Sequence, residues 1–193
     1  MTLLVEALSH HQAGRLAEAA TLYQSVLTAE PHNPDALYLL GILARQAQHP
    51  ETAIKLIRQA IDLREGVAQF HNHLGAALLD IGDRDAARKS FMRALQLQPR
   101  YLDALLNLAN LLAEGGQVEE AATCYRAALR LHPDQPETAR RLAVLETPAQ
   151  RAKPARSPVR AAPAAPKAAK PAPSSRPAGS TAAARPAKRS TPR

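Results

Sequence analysis

One cysteine, Cys124, is present among the 193 residues, so an internal disulfide and a cysteine metal cluster are both excluded. No apolar run approaches the roughly 20 residues that a bilayer-crossing helix needs. The opening stretch, "MTLLVEALSHHQ", lacks a basic leader and soon turns polar, so no secretory signal is expected. These absences together predict a soluble, cytoplasmic protein. Acid is missing from one part of the chain: Pro148 to Arg193 carries 11 Lys and Arg, 10 Pro and no Asp or Glu. Subtracting those 11 from the 25 basic residues leaves 14 against all 17 acids, so residues 1–147 carry −3 and the overall +8 belongs to the tail. One domain plus an appendage is expected, an acidic body over 1–147 and a basic tail over 148–193.

What the body has is repetition. "PDALYLLGILARQAQHPETAIKLIRQAIDLREGV" (34–67), "AQFHNHLGAALLDIGDRDAARKSFMRALQLQPRY" (68–101) and "LDALLNLANLLAEGGQVEEAATCYRAALRLHPDQ" (102–135) align without a gap. A unit over about 1–33 precedes them, and "PETARRLAVLE" (136–146) fits as a half unit. Small residues recur at Ala7, Gly41, Gly75 and Ala109, again at Ala19, Ala53, Ala87 and Ala121, and largely at Val26, Ala60, Ala94 and Ala128. Such spacing lets helix backbones approach closely. Leu40, Leu74 and Leu108 on first helices and Tyr23, Ile57, Phe91 and Tyr125 on second helices fill the space between. Gly14, Gly82 and Gly116 mark the turn inside each unit, where positive φ is useful. Asn33–Pro34 reads as an N-cap and first helical residue.

A 34-residue helix–turn–helix period with these small and large columns resembles the tetratricopeptide repeat. The resemblance implies an all-α, right-handed α-solenoid with a C-terminal capping helix at 136–146. Glu6, His71, Gln48 and Glu65 depart from the repeat's usual residues, which predicts looser ends for repeat 2. Ala139, Leu142 and Ala143 are expected to cover repeat 4, while Glu137, Arg140 and Arg141 face water. Leu3, Leu4, Val5 and Leu8 form an uncapped front, a candidate surface for self-association.

In such arrays the first helix of each unit lines the concave face. Asp103, Leu106, Asn107, Asn110 and Glu114 fall on one stripe, and Leu105, Leu108 and Leu112 on another. The two asparagines are therefore expected in a wet groove. A carboxamide has both a donor and an acceptor, which suits the N–H and C=O of an extended peptide. The concave face is similar to that of O-linked N-acetylglucosamine transferases, where a ladder of asparagines holds peptide backbone. Here the ladder is interrupted: Asn107 stands at its position, with Val5, Leu39 and His73 as equivalents. The expected groove residues are Leu8, Tyr38, Leu39, Ile42 and Arg45 in an apolar half, with Asn72, His73, Asn107, Asn110, Arg140 and Arg141 in a polar half. The alternative is that these are ordinary solvated residues of a helix face. The lysines and arginine of a chaperone-tail clamp are absent, since Tyr38, Leu39 and His73 occupy concave positions of that kind.

No catalytic residue is predicted. His10–His11 and His71–His73 diverge on their helices and do not suggest a metal site. Cys124 has no basic neighbour to activate it. "GDRDAARKS" lacks the glycine-rich loop of a phosphate site. The body therefore reads as a non-enzyme without cofactor or metal, an adaptor for a protein or peptide partner. The basic segment has one Val, no aromatic residue and frequent Pro, which predicts disorder with local polyproline II. Arg151, Lys153, Arg156, Arg160, Lys167, Lys170, Arg176, Arg185, Lys188 and Arg189 are its candidate contacts to nucleic acid or another polyanion. Its other reading is a flexible, solubilising terminus. Two further functions compete with the adaptor. One is a nucleic-acid-associated protein acting through the tail, with repeats serving oligomerisation. The other is an accessory or truncated relative of repeat-bearing glycosyltransferases, in which the lack of a catalytic domain in these residues argues against intrinsic transferase activity.

Overall fold

A computed structural model describes residues 2–147. The basic segment 148–193, with its expected disorder and its candidate polyanion contacts, lies outside the described residues. Nine helices and no strand occur among the described residues: α1 (Leu3–Gln12), α2 (Leu16–Ala29), α3 (Pro34–Gln46), α4 (Pro50–Leu63), α5 (Ala68–Asp80), α6 (Arg84–Leu97), α7 (Leu102–Glu114), α8 (Val118–Leu131) and α9 (Pro136–Leu145). The starts of α3, α5, α7 and α9 keep the 34-residue period of the sequence.

Local signals explain the boundaries. Pro34, Pro50 and Pro136 begin their helices at a position where no backbone N–H is needed. Asn33 Oδ1 accepts from the Ala36 amide at 3.0 Å, and Asp83 Oδ1 accepts from Ala86 at 3.0 Å. Each unit turns between its helices through one left-handed residue: Gly14, Gly82 and Gly116 at φ 74°, 79° and 77°, and Gln48 at φ 62°. The left-handed conformation costs an L-residue about 1–2 kcal/mol, partly offset by the extra chain entropy that glycine loses on folding. Gln48→Gly is therefore expected to stabilise the protein by about 0.5–1 kcal/mol, a rise in Tm of roughly 2–4 °C. Thermal unfolding followed by circular dichroism checks this, and an unchanged or lower Tm would refute strain at this turn.

The columns of the repeat form the core. Ala7, Ala19, Ala53, Ala87, Ala109 and Ala121 are fully buried, as are Ala60, Ala94 and Ala128. Tyr23, Ile57, Phe91 and Tyr125 fill the space between the helices of each pair. Burying a side chain of this size contributes about 1.5–3 kcal/mol. Every helix packs on its predecessor and its successor, and α1, α3, α5 and α7 also touch one another in sequence. That second set of contacts makes the face of the odd-numbered helices the inner side of the stack.

The capping helix differs from expectation. Ala139 and Ala143 are exposed, and the buried residues of α9 are Thr138 and Leu145, with Leu142 half-buried. A stripe at 138, 142 and 145 turns toward α8, so the cover keeps Leu142 of the predicted set and has Thr138 and Leu145 in place of Ala139 and Ala143. Glu137, Arg140 and Arg141 are exposed to solvent. His71 is half-buried and donates from Nε2 to the Glu65 carbonyl at 3.0 Å, closing the loop before α5.

Candidate functional site

The inner face changes character along the stack. At its front, Leu3, Val5 and Leu8 on α1 are exposed, Leu8 least at 36%. Leu4 and Leu39 are drawn partly into the small core of Ala7, Ala19, Tyr23 and Leu43. Ile42 is half-buried. Tyr38 is held on two sides: its ring lies 4.5 Å from the Phe70 ring and meets His73 edge-on at 5.5 Å. Tyr38 thus supplies packing between α3 and α5. Burial, with a smaller push from Tyr101, raises its hydroxyl well above the ordinary tyrosine range. His73 is held below the ordinary histidine value by burial first and by the Arg45 charge second, against an opposing pull from Asp103. It therefore stands as a neutral imidazole at pH 7.

Arg45 ends α3 and is tied to Asp80 at the end of α5 by two contacts, at 2.5 and 3.2 Å. The pair is 37% exposed on each side, so it fixes geometry more than it adds stability. Arg84 makes a comparable link to Glu114 at 2.9 Å.

The asparagines divide into two kinds. Asn72 is only 3% exposed, so its side chain does not line the open groove as expected. It is a relay between α5 and α7. Its Nδ2 lies 3.5 Å from the Tyr101 hydroxyl, and its Oδ1 accepts from Asn107 Nδ2 at 3.0 Å. The reason is local: position 72 sits one step round the helix from the groove-lining His73, against the incoming turn of the next unit. Asn107 and Asn110 are each half-buried. Asn110 Oδ1 accepts from the Tyr125 hydroxyl at 2.5 Å and from Arg141 at 3.0 Å. Among the described residues no buried side-chain polar atom lacks a partner. The groups of these two residues without a protein partner, Asn107 Oδ1 and Asn110 Nδ2, are therefore open to solvent.

Around Asn110 the inner face deepens into a hollow of about 420 Å³. Tyr125 and Glu114 line it, Ala113, Val144 and Leu145 give it an apolar wall, and Glu137, Arg140 and Arg141 supply its charge. Arg141 is bound to Glu137 at 2.9 Å, whereas the Arg140 head is 80% exposed with Glu137 no nearer than 4.0 Å. Of the expected groove residues, Asn110, Arg140 and Arg141 come together here, and Asn107 lies one turn away on α7. Tyr125, a packing residue by its column in the repeat, also reaches the hollow. A hydroxyl in a column otherwise filled by Ile57 and Phe91 was the available signal, and the same exception at Tyr23 reaches His11 Nδ1 at 3.2 Å.

Burial and the nearby Glu120 push the Cys124 thiol up, away from its reactive form. Among the described residues no cluster of His, Cys, Asp and Glu could hold a metal ion. No helix among them is long and apolar enough to cross a membrane.

Paired helices at a fixed 34-residue period, stacked with their first helices inward, define an α-solenoid. The chain belongs to the tetratricopeptide repeat family, whose sequence profiles match residues 10–75, 73–136 and 106–169. The TPR repeat-containing protein PA4299 of Pseudomonas aeruginosa is 40% identical over 88 residues, which cover 46% of this chain and 36% of that relative. The chain thus spans about a third of that relative's length. The O-GlcNAc transferase of Thermobaculum terrenum (a K341M mutant) superposes with a TM-score of 0.64 at 28% identity, over 66% of this chain and 25% of that one. The MamA protein superposes with a TM-score of 0.67 at 23% identity, over 74% and 78% of the two chains, a likeness of fold.

Proposed function

We propose that the protein is a non-catalytic adaptor whose repeats hold an extended segment of a partner protein along the inner face. Tetratricopeptide repeat proteins generally mediate protein–protein interaction, which supports the class. The observation that carries the reading is the pair of solvent-open carboxamide groups, Asn107 Oδ1 and Asn110 Nδ2. They lie one helical turn apart on α7 beside an apolar-walled hollow. One offers an acceptor and the other a donor, and a peptide backbone supplies the complement of each whatever its side chains. Exposed Leu3, Val5 and Leu8 at the other end suit an apolar stretch of the same partner.

Replacing both Asn107 and Asn110 with Ala tests this. Two hydrogen bonds of about 0.5–1.5 kcal/mol each predict a loss of affinity of about 5-fold to about 150-fold. The substitutions also remove bonds to Asn72, Tyr125 and Arg141, so Tm should fall slightly while helicity persists. Binding to a peptide selected from a random library, measured by calorimetry, is the readout. Undiminished affinity would refute the groove.

The basic segment supports a second element of the reading. Eleven Lys and Arg with no acid over 148–193 suit a sequence-independent contact with a polyanion, which would tether the adaptor to an anionic surface. Without aromatic residues it has nothing on which unpaired bases could stack, so a duplex or another regular polyanion is the matching partner.

A further inference from the structure

We infer that the capping helix is part of the binding site. Arg141 on α9 and Tyr125 on α8 are positioning residues that hold the Asn110 carboxamide so that its amide nitrogen is a fixed donor to a main-chain carbonyl of an extended peptide. The inference rests on the peptide-groove reading and assigns the polarity of one contact within it.

The chemistry fixes the orientation. A guanidinium has donors and no acceptor, so the Asn110 atom 3.0 Å from Arg141 is the carbonyl oxygen, not the nitrogen. The Tyr125 hydroxyl donates to that same oxygen at 2.5 Å. Burial pushes this phenol's ionisation up, so it stays a neutral donor. Arg141 is itself held by Glu137 at 2.9 Å, which braces the contact from within α9. With its oxygen taken twice, Asn110 turns both Nδ2 hydrogens to the hollow, where no described residue accepts them. An incoming group must therefore accept.

Two acceptor classes meet the hollow. A carboxylate would be drawn by the exposed Arg140 but repelled by Glu114 and Glu137 on the same walls. A neutral carbonyl meets no such repulsion, and Ala113, Val144 and Leu145 offer an apolar surface to the residue that carries it. Asn107 completes the match one turn away: its nitrogen is committed to Asn72 at 3.0 Å, which leaves its oxygen as an acceptor for a peptide N–H.

Asn110→Asp isolates the claim. The carboxylate still accepts from Tyr125 and Arg141, but the outward donor is gone. The probe is a 12-residue peptide selected against the full chain from a random display library, together with an amide-to-ester scan of its backbone, which weakens one carbonyl acceptor at a time. The expected result is an affinity loss of tenfold or more for Asn110→Asp with Tm close to the wild type. One ester position should weaken wild-type binding and add nothing in Asn110→Asp. Tyr125→Phe combined with Arg141→Ala should also weaken binding, and should shift the Asn110 side-chain amide resonances toward those of a solvated carboxamide. Wild-type affinity in Asn110→Asp, or ester effects that add to it at every position, would overturn this inference and leave the groove reading standing. Failure of the wild type to select any peptide would overturn the groove reading itself.

Discussion

Gly75→Ala is expected to destabilise the protein by about 2–3 kcal/mol, lowering Tm by roughly 5–10 °C. In a helix interior the exchange ordinarily stabilises by about 1 kcal/mol, because alanine is the better helix former. Here the sign reverses. A Cβ at position 75 would stand 2.6 to 2.9 Å from three carbons of the Phe91 ring, and that ring is fully buried. The ring has no open space into which to retreat, so the two helices of the unit must separate. Separation is costly in a solenoid, since each unit is held by its neighbours. The same column offers a comparison: Gly41 faces Ile57, whose Cγ1 would lie 2.7 Å from an added Cβ, while Ala7 and Ala109 accompany Tyr23 and Tyr125. Urea titration of Gly75→Ala, Phe91→Leu and the double variant measures the coupling. The double variant should be more stable than the sum of the single losses predicts. Additive losses, or a stabilised Gly75→Ala, would refute the close approach.

Deleting residues 148–193 is expected to abolish binding to duplex DNA at low salt while leaving the repeats folded. This follows from the proposed polyanion contact. The remaining body carries −3, so it has no net attraction for phosphate. For the full chain, neutralising about six phosphates would lower affinity about a thousandfold between about 50 and about 200 mM salt. Fluorescence anisotropy with a labelled duplex, over a series of salt concentrations and two unrelated sequences, gives the slope and the specificity together. A steep slope shared by both sequences supports the tether. Binding that survives the deletion, or a flat salt response, would remove it.

These expectations draw on different depths of information. The period, the helix starts and the turns depend on residues close in sequence: Asn33 before Pro34, Gly82 before Asp83, alanines at helical spacing. A repeat copies such signals in phase, so the departure at Gln48 stands out against three glycines and coincides with a strained φ. The stripe carrying Asn107 and Asn110 is legible for the same reason, because helical geometry fixes which residues share a face. The capping helix is less legible, since no helix follows α9 among the described residues to define its inner face, and its buried residues are Thr138 and Leu145.

The sequence by itself determined the array, its register and the shared helical stripe of Asn107 and Asn110, because each of these follows from contacts within a few turns of one chain segment. Only the tertiary structure decided what each carboxamide is free to do. Asn72 became a buried relay to Tyr101, 29 residues away, and Asn110 lost its oxygen to Arg141, 31 residues away. Hydrogen-bonding partners of that kind are chosen by how neighbouring units stack, and a carboxamide reads the same in sequence whichever end of it faces the solvent.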